Sequence, residues 1–108
     1  MISEEKVQKA VDFLRDTAES CAKARAERLY LDEFTRSLRA EIMSEHLAEP
    51  VNAQERYALS DIRYKNHLAA LKHAIYVDER GRFLRQAAEV TIEAWRTQSS
   101  NNRGLEKL

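Results

Sequence analysis

Few residues of this sequence have the types and spacing that catalysis or metal binding requires. The histidines are His46, His67 and His73, and the last two are six residues apart, so they lie on different faces of a helix and cannot form an i,i+4 metal pair. The acids before His46 stand one and five residues away, which does not give the Glu-x-x-His pair of di-metal carboxylate bundles. Each histidine is interpreted as a surface or interface residue, and we predict no catalytic residue, no metal and no cofactor.

The single cysteine offers no clearer chemistry. Cys21 cannot form an internal disulfide, and one thiol makes a structural zinc site improbable. It falls on an apolar helical stripe among alanines, where a buried thiol behaves as a small apolar side chain and not as a nucleophile. The chain also lacks a glycine-rich phosphate-binding loop, since it holds only two glycines. These features predict a protein that is not an enzyme.

Nucleic-acid binding depends on basic residues near aromatic ones, and such residues occur in the second half of the chain. Arginine and lysine side chains grip phosphates, while an aromatic ring such as that of Trp95 stacks on a base. The candidate contacts to a nucleic acid or another partner are Arg63, Lys65, Lys72, Arg80, Arg82, Arg85 and Arg96. However, acids share the same segment, and 18 basic residues balance 18 acidic ones. Contact with a protein is the favoured interpretation, and single-stranded nucleic-acid binding is an alternative.

Length and composition limit the architecture that positions these residues. A chain of 108 residues is enough for one domain, and two glycines with one proline are too few for the turns of a β-rich fold. Apolar residues make up 44%, which argues against disorder, and no apolar run is long enough to span a membrane. The first residues lack the basic start and apolar stretch of a signal peptide, so we expect a cytoplasmic protein.

Capping and breaking residues predict the first two helices. Ser3 precedes two acids, and no glycine or proline follows before Pro50, so a first helix is predicted over residues 3–48. The segment 52–55 reads Asn-Ala-Gln-Glu and has the form of a capping box. It predicts a short helix over residues 53–59.

A second long helix follows. Ser60 and Asp61 form another cap, which predicts a helix over residues 61–98, and the polar segment 99–108 is expected to fray. Gly81 lies inside this helix, either as a tolerated glycine that costs about 1 kcal/mol relative to alanine or as a close backbone contact. In both cases we expect the helix to remain continuous. Two long helices with a short connector predict an all-α, antiparallel two-helix hairpin with a short connecting helix.

Both long helices carry apolar residues at alternating spacings of three and four, which indicates lengthwise packing. In the first helix the stripe contains Val7, Val11, Leu14, Ala18 and Cys21, then Ala24, Leu31, Phe34, Leu38 and Ile42. A shift of three residues separates the two groups and predicts a stammer. In the last helix the stripe contains Leu68, Leu71, Ile75, Leu84, Ala88, Ile92 and Trp95. The charged segment 78–82 is expected to interrupt it.

Further apolar residues lie off these stripes, namely Phe13, Leu29, Tyr30, Met43, Phe83 and Val90. A hairpin buries one stripe per helix, so a second stripe is usually buried against another chain. We predict a homo-oligomer, most simply a dimer that forms a four-helix assembly. The alternative is that the short helix covers some of this surface. The candidate interface residues are Leu31, Phe34, Leu38, Leu71, Ile75, Phe83 and Trp95.

Two segments carry a resemblance to a known group. Residues 50–60, which read PVNAQERYALS, and residues 92–98, which read IEAWRTQ, resemble small all-helical proteins encoded by phages and prophages. The likeness covers roughly residues 20–103, although Gly81 stands where a bulkier residue is expected. It implies no catalytic residue, and it implies a setting among phage recombination and replication genes in a bacterial cell.

These observations together predict a non-enzymatic, phage-type helical interaction protein that self-associates and binds another macromolecule. The resemblance suggests that it is a recombination or replication accessory factor. The alternatives are a single-stranded nucleic-acid binder and a small inhibitor of a host enzyme or defence complex.

Overall fold

A computed structural model describes residues 1–106 of the chain. It contains the helices α1 (Glu4–Asp16), α2 (Ala18–Ser44), α3 (Val51–Ser60) and α4 (Ile62–Glu106), and no strand occurs in the described residues. Of the described residues, 90% are helical, and α2 and α4 pack against each other. The predicted all-α class with a helical hairpin is therefore confirmed.

Two of the predicted helix caps are present. The Oγ atom of Ser3 accepts a hydrogen bond from the backbone N–H of Lys6 at 3.2 Å, which satisfies one of the free donors at the start of α1. The Oδ1 atom of Asp61 accepts one from the backbone N–H of Arg63 at 2.8 Å, at the start of α4. Local sequence was sufficient to locate these two helix starts, because each cap acts within one turn.

The connection between the long helices differs from its prediction. α2 ends at Ser44, and residues 45–48 form turns in which Glu45 donates to the Ile42 carbonyl at 3.1 Å. Hydrogen bonds between residues three apart, as in a 3₁₀ turn, satisfy the last carbonyls of a helix. The predicted capping box is wrong, because α3 already begins after Pro50, whose carbonyl accepts the Gln54 N–H at 3.0 Å.

The C-terminal boundary was also predicted too early. α4 continues to Glu106, so the polar residues 99–106 are helical and do not form a frayed tail. Within this segment the Arg103 Nε atom donates to the Ser99 carbonyl at 3.4 Å. Gly104 has no positive φ, so it does not end the helix. Residues 107–108 of the predicted tail lie outside the described residues.

Contacts within the chain group into two compact units. The first contains Met1–Ala22 and the described part of Glu79–Leu108, and the second contains Lys23–Asp78. In the first unit, the backbone N–H of Ile2 donates to the Gln98 side chain at 3.0 Å. The prediction of a single domain stays a prediction.

The second unit holds the main apolar core. Ile42 is the only large side chain with no exposed surface in the described residues, and it packs with the buried Leu38 and Ala58. The half-buried Phe34, Met43 and Tyr64 pack against this cluster. α3 therefore contributes to the core and covers the facing ends of α2 and α4.

The inward positions of α1 and α2 follow one unbroken heptad repeat. The buried or half-buried residues at spacings of three and four are Val7, Ala10, Leu14, Thr17, Cys21, Ala24, Arg28, Leu31, Thr35, Leu38 and Ile42. The predicted stammer is wrong, because polar side chains occupy repeat positions that the apolar pattern leaves vacant. Val11 and Ala18, which the sequence analysis placed on the stripe, are exposed.

The inward repeat of α4 is likewise unbroken. It contains Tyr64, His67, Leu71, Ala74, Asp78, Gly81, Arg85, Ala88, Ile92 and Trp95. The predicted interruption at 78–82 is wrong, because Asp78 and Gly81 occupy inward positions. Leu68, Ile75 and Leu84 are instead 37–42% exposed at the edge of the stripe.

Gly81 permits a close approach within the first unit. The helix is continuous through it, as expected, and a Cβ atom built there would lie 3.3 Å from the Sγ atom of Cys21. This distance is tighter than most real Cβ contacts. The close-contact interpretation of Gly81 is therefore favoured, and Cys21 is half-buried in packing and pairs with no other cysteine.

Candidate functional site

The described residues offer little to hold a metal or cross a membrane. No group of three or more histidine, cysteine and acidic side chains between residues 1 and 106 is placed to bind a metal ion. Over the same range, no helix is both long and apolar enough to span a bilayer. The side chains that remain for a functional role are polar groups inside the helix pairs and apolar groups on the surface.

His67 was predicted at the surface or at an interface, and it lies buried between α2 and α4 with 8% exposure. Its Nε2 atom is 2.8 Å from the Oγ1 atom of Thr35, and its ring meets Phe34 edge-on at 5.6 Å. Because the Thr35 hydroxyl donates to the Leu31 carbonyl, the ring nitrogen is the donor to Thr35. This satisfied contact gives His67 a packing role in the second unit.

His46 packs the segment that connects α2 to α3. The ring of His46 stacks on Tyr57 of α3, with centroids 4.1 Å apart and planes 9° from parallel. Stacked rings of this kind add to the energy of area burial. His46 therefore holds the turn after α2 against α3.

Arg63, a candidate partner contact, is engaged within the chain. Its guanidinium donates to both carboxylate oxygens of Glu45, at 2.9 and 2.5 Å, and to Asp61 Oδ2 at 2.9 Å. The hydrogen bonds from Arg63 lower the pKa of Asp61 to about 2 and also lower the pKa of Glu45, and they raise the pKa of Arg63. This clamp joins the turn after α2 to the start of α4.

The clamp should make the protein sensitive to acid. Because the folded pKa of Asp61 lies below its unfolded value of about 3.9, and the pKa of Glu45 is lowered as well, the clamp's contribution is complete above about pH 5 and is lost as the pH falls toward 2. We expect the melting temperature of Arg63→Gln to fall less than that of the wild type over this range, measured by circular dichroism. Arg96→Gln is the control, and parallel slopes for Arg63→Gln and wild type would contradict the clamp.

Three other candidate arginines, Arg82, Arg85 and Arg96, also have intrachain partners. Arg82 donates to Glu79 at 2.6 Å and lies 4.9 Å from the ring centre of Phe83, and Arg96 pairs with Glu93 at 3.0 Å. The remaining candidates, Lys65, Lys72 and Arg80, are exposed. The predicted basic residues therefore do not form one shared, unoccupied cationic surface.

Arg85 of α4 donates a hydrogen bond to the backbone of α1. Its Nη1 atom donates to the Leu14 carbonyl at 3.0 Å, the oxygen that in a regular α-helix accepts from residue 18. The helix is interrupted three residues later, at Thr17, whose hydroxyl bonds the Phe13 carbonyl at 2.6 Å. Insertion of a side chain into the hydrogen-bond ladder is a known cause of such breaks. It explains why the predicted single helix is observed as α1 and α2.

Arg28 and Asp78 form a pair that the sequence analysis did not identify. Arg28 Nη1 lies 3.0 Å from Asp78 Oδ2, and the two side chains are 34% and 16% exposed. Both occupy inward positions of the second unit. A heptad count that accepted charged residues at inward positions would have found them.

The candidate interface residues separate into two groups. Leu38 is buried, and Leu31, Phe34, Leu71 and Trp95 are half-buried, so these five contribute to packing within the units that contain them. Ile75 is 37% exposed and Phe83 is 60% exposed. Phe83 is the candidate that presents most of its surface outward.

Phe83 belongs to a row on the outward side of α4. The row repeats every seven residues and contains Ile62, Ala69, Tyr76, Phe83 and Val90, which we call the outer row. Its four large members are 60–67% exposed. Phe83 and Val90 were predicted to lie off the apolar stripes, whereas Ile62 and Tyr76 were not predicted there, although the sevenfold spacing is readable in the sequence.

Two shallow depressions lie on α4 in the first unit. The first surrounds an outer-row residue and is lined by Gln86, Glu89, Val90, Glu93, Ala94 and Thr97. The second lies beside the tryptophan and is lined by Trp95, Arg96, Ser99, Ser100, Asn102 and Arg103. The first is thus an apolar patch with acidic neighbours, and the second places the Trp95 ring beside two arginines.

Comparison with known proteins gives no functional assignment. No protein-family model, curated protein or solved structure matches this sequence. The functional evidence is the distribution of apolar and charged side chains on the molecule itself.

Proposed function

We propose that this protein is a non-enzymatic helical interaction protein that self-associates and binds another macromolecule. The observation that supports it is the outer row of α4, whose large side chains are 60–67% exposed. Burial of apolar surface contributes about 25 cal/mol per Å², so covering the row provides a driving force for association.

The spacing of the outer row favours a helical partner. Single exposed apolar residues are common, whereas a row that recurs every seven residues stays on one side of a supercoiling helix. The inward repeat of the same helix is already used for packing inside the chain. The outer row is therefore a second helix-packing surface, and we propose a dimer as the simplest assembly that covers it.

The identity of the other macromolecule is a proposal from the resemblance of residues 50–60 and 92–98 to phage-encoded proteins. That resemblance favours a phage recombination or replication protein as the partner, in the cytoplasm of a bacterial host. Purification from the native cell with whatever remains bound would test it.

Replacing Phe83 with glutamate is expected to dissociate the assembly. A carboxylate buried in an apolar interface is costly, and about 2.7 kcal/mol corresponds to an association weakened ~100-fold. Light scattering at micromolar concentration should give a multiple of the 12.5 kDa chain mass for the wild type and the chain mass for Phe83→Glu. Circular dichroism should show the same helix content for both.

Leu47→Glu is the matched control, because Leu47 is 75% exposed and is not a residue of α4. It should leave the mass unchanged. A wild-type protein that scatters as a single chain would contradict self-association. A Phe83→Glu variant that keeps the wild-type mass would exclude the outer row as its surface.

Single-stranded nucleic-acid binding is the second candidate, and the depression beside Trp95 favours it. A half-buried indole there lies next to Arg96 and Arg103, the combination that stacks a base and contacts its phosphate. Oligonucleotide binding that weakens steeply with salt and is lost in Trp95→Ala with the fold intact would support this candidate over the first.

A further inference from the structure

We propose that the partner of the outer row is the outer row of a second copy, packed antiparallel and aligned by opposite charges on one flank of α4. This inference rests on the proposed self-association and adds the identity and direction of the partner helix. The observation that supports the antiparallel pairing is the order of charges along α4.

One flank of the outer row changes sign along the chain. Three residues after each row member stand Lys65, Lys72, Glu79, Gln86 and Glu93. The N-terminal end of this flank is basic and exposed, and its C-terminal end carries the exposed Glu93. We call these positions the charged flank.

In an antiparallel arrangement, the charged flanks of the two copies face each other. A two-fold axis perpendicular to two helices places the same flank of both helices on the same side. With the axis at Glu79, Lys65 of one copy faces Glu93 of the other, and Lys72 faces Gln86. Glu79 does not oppose this arrangement, because its carboxylate is already held by Arg82 at 2.6 Å.

The same register matches the apolar residues. It places Tyr76 of one copy beside Phe83 of the other, and Ala69 beside Val90. The small side chain of Ala69 suits the depression around Val90, and Lys65 then approaches its acidic rim. Glu93 pairs with Arg96 in the single chain, but those side chains are 69% and 67% exposed, and an exposed pair exchanges partners at little cost.

A parallel arrangement lacks this complementarity. It would place the charged flank against the opposite flank, which contains Asn66, His73, Arg80, Ala87 and Ala94. Arg80 of this flank would meet only Glu79, which Arg82 already holds, and no carboxylate stands there for Lys65 or Lys72. The charges therefore favour the antiparallel pair, as opposite charges beside an apolar seam set helix orientation in coiled coils.

Charge reversal at the two ends tests this pairing. Lys65→Glu and Glu93→Lys should each weaken self-association about tenfold, because each replaces two symmetric attractions with two repulsions. An equimolar mixture of the two variants should recover the wild-type mass as a mixed dimer. The double variant K65E/E93K should recover it alone. Light scattering and sedimentation measure all four samples, and circular dichroism confirms their folding.

Lys6→Glu, a charge reversal at an exposed residue of α1 that belongs neither to the outer row nor to the charged flank, is the matched control and should not change the association. A wild type that remains a single chain would overturn the proposed self-association together with this inference. A wild type that self-associates while neither reversal weakens it, or whose mixed variants fail to recover, would overturn only the antiparallel pairing. In that case the outer row is open to a different occupant or a different orientation.

Discussion

Replacing Ile42 with alanine is expected to lower the free energy of unfolding by about 3 kcal/mol. Ile42 has no exposed surface, and it lies in the cluster with Leu38 and Ala58. Truncation of a buried isoleucine loses the transfer energy of its methyl and methylene groups and leaves a cavity lined by its neighbours. Urea unfolding followed by circular dichroism measures this change, at one fixed protein concentration because the proposed self-association would also contribute to stability.

Leu29→Ala is the control for this prediction. Leu29 lies on the same helix and is 52% exposed, so its truncation should change the free energy of unfolding by about 0.5 kcal/mol or less. Equal losses for the two variants would show that the cluster around Ile42 is not the main core of the second unit.

Removing the carboxylate of Asp78 is expected to cost about 2 kcal/mol of stability. Asp78 is 16% exposed and pairs with Arg28 at 3.0 Å, so Asp78→Ala deprives a partly buried guanidinium of this partner. Losing one member of such a pair costs more than the pair contributes, since the remaining charge keeps its desolvation penalty. The same urea experiment measures the loss, and the exposed Asp32→Ala is the control.

An apolar replacement of both members should restore stability. Arg28→Met with Asp78→Leu removes both charges and keeps most of the volume, and such exchanges are often neutral or stabilising. We expect the double variant to be within about 1 kcal/mol of the wild type. A double variant as unstable as Asp78→Ala would indicate that the contribution of the pair is not electrostatic.

Features that depend on neighbours along the chain follow from the amino-acid sequence alone. Two glycines and one proline are too few for the turns of a β-rich fold. Ser3 and Asp61 cap their helices with side chains that act within one turn. The continuity of α4 through Gly81 was predictable for the same reason, because one glycine in a long helix costs only about 1 kcal/mol.

The tertiary structure alone decided which polar residues face inward. Arginine usually faces solvent, so the sequence predicts exposed positions for Arg28 and Arg85. Their partners, Asp78 and the Leu14 carbonyl, are 50 and 71 residues away. A heptad pattern drawn from apolar residues alone omits such inward positions. This omission led to the wrong predictions of a stammer in the first helix and of an interruption at residues 78–82. The break at Thr17 has the same origin, because a side chain from α4 occupies a carbonyl that local sequence assigns to the helix itself. The burial of a charged or polar group is decided by whether a partner meets it in space, and that partner is set by packing.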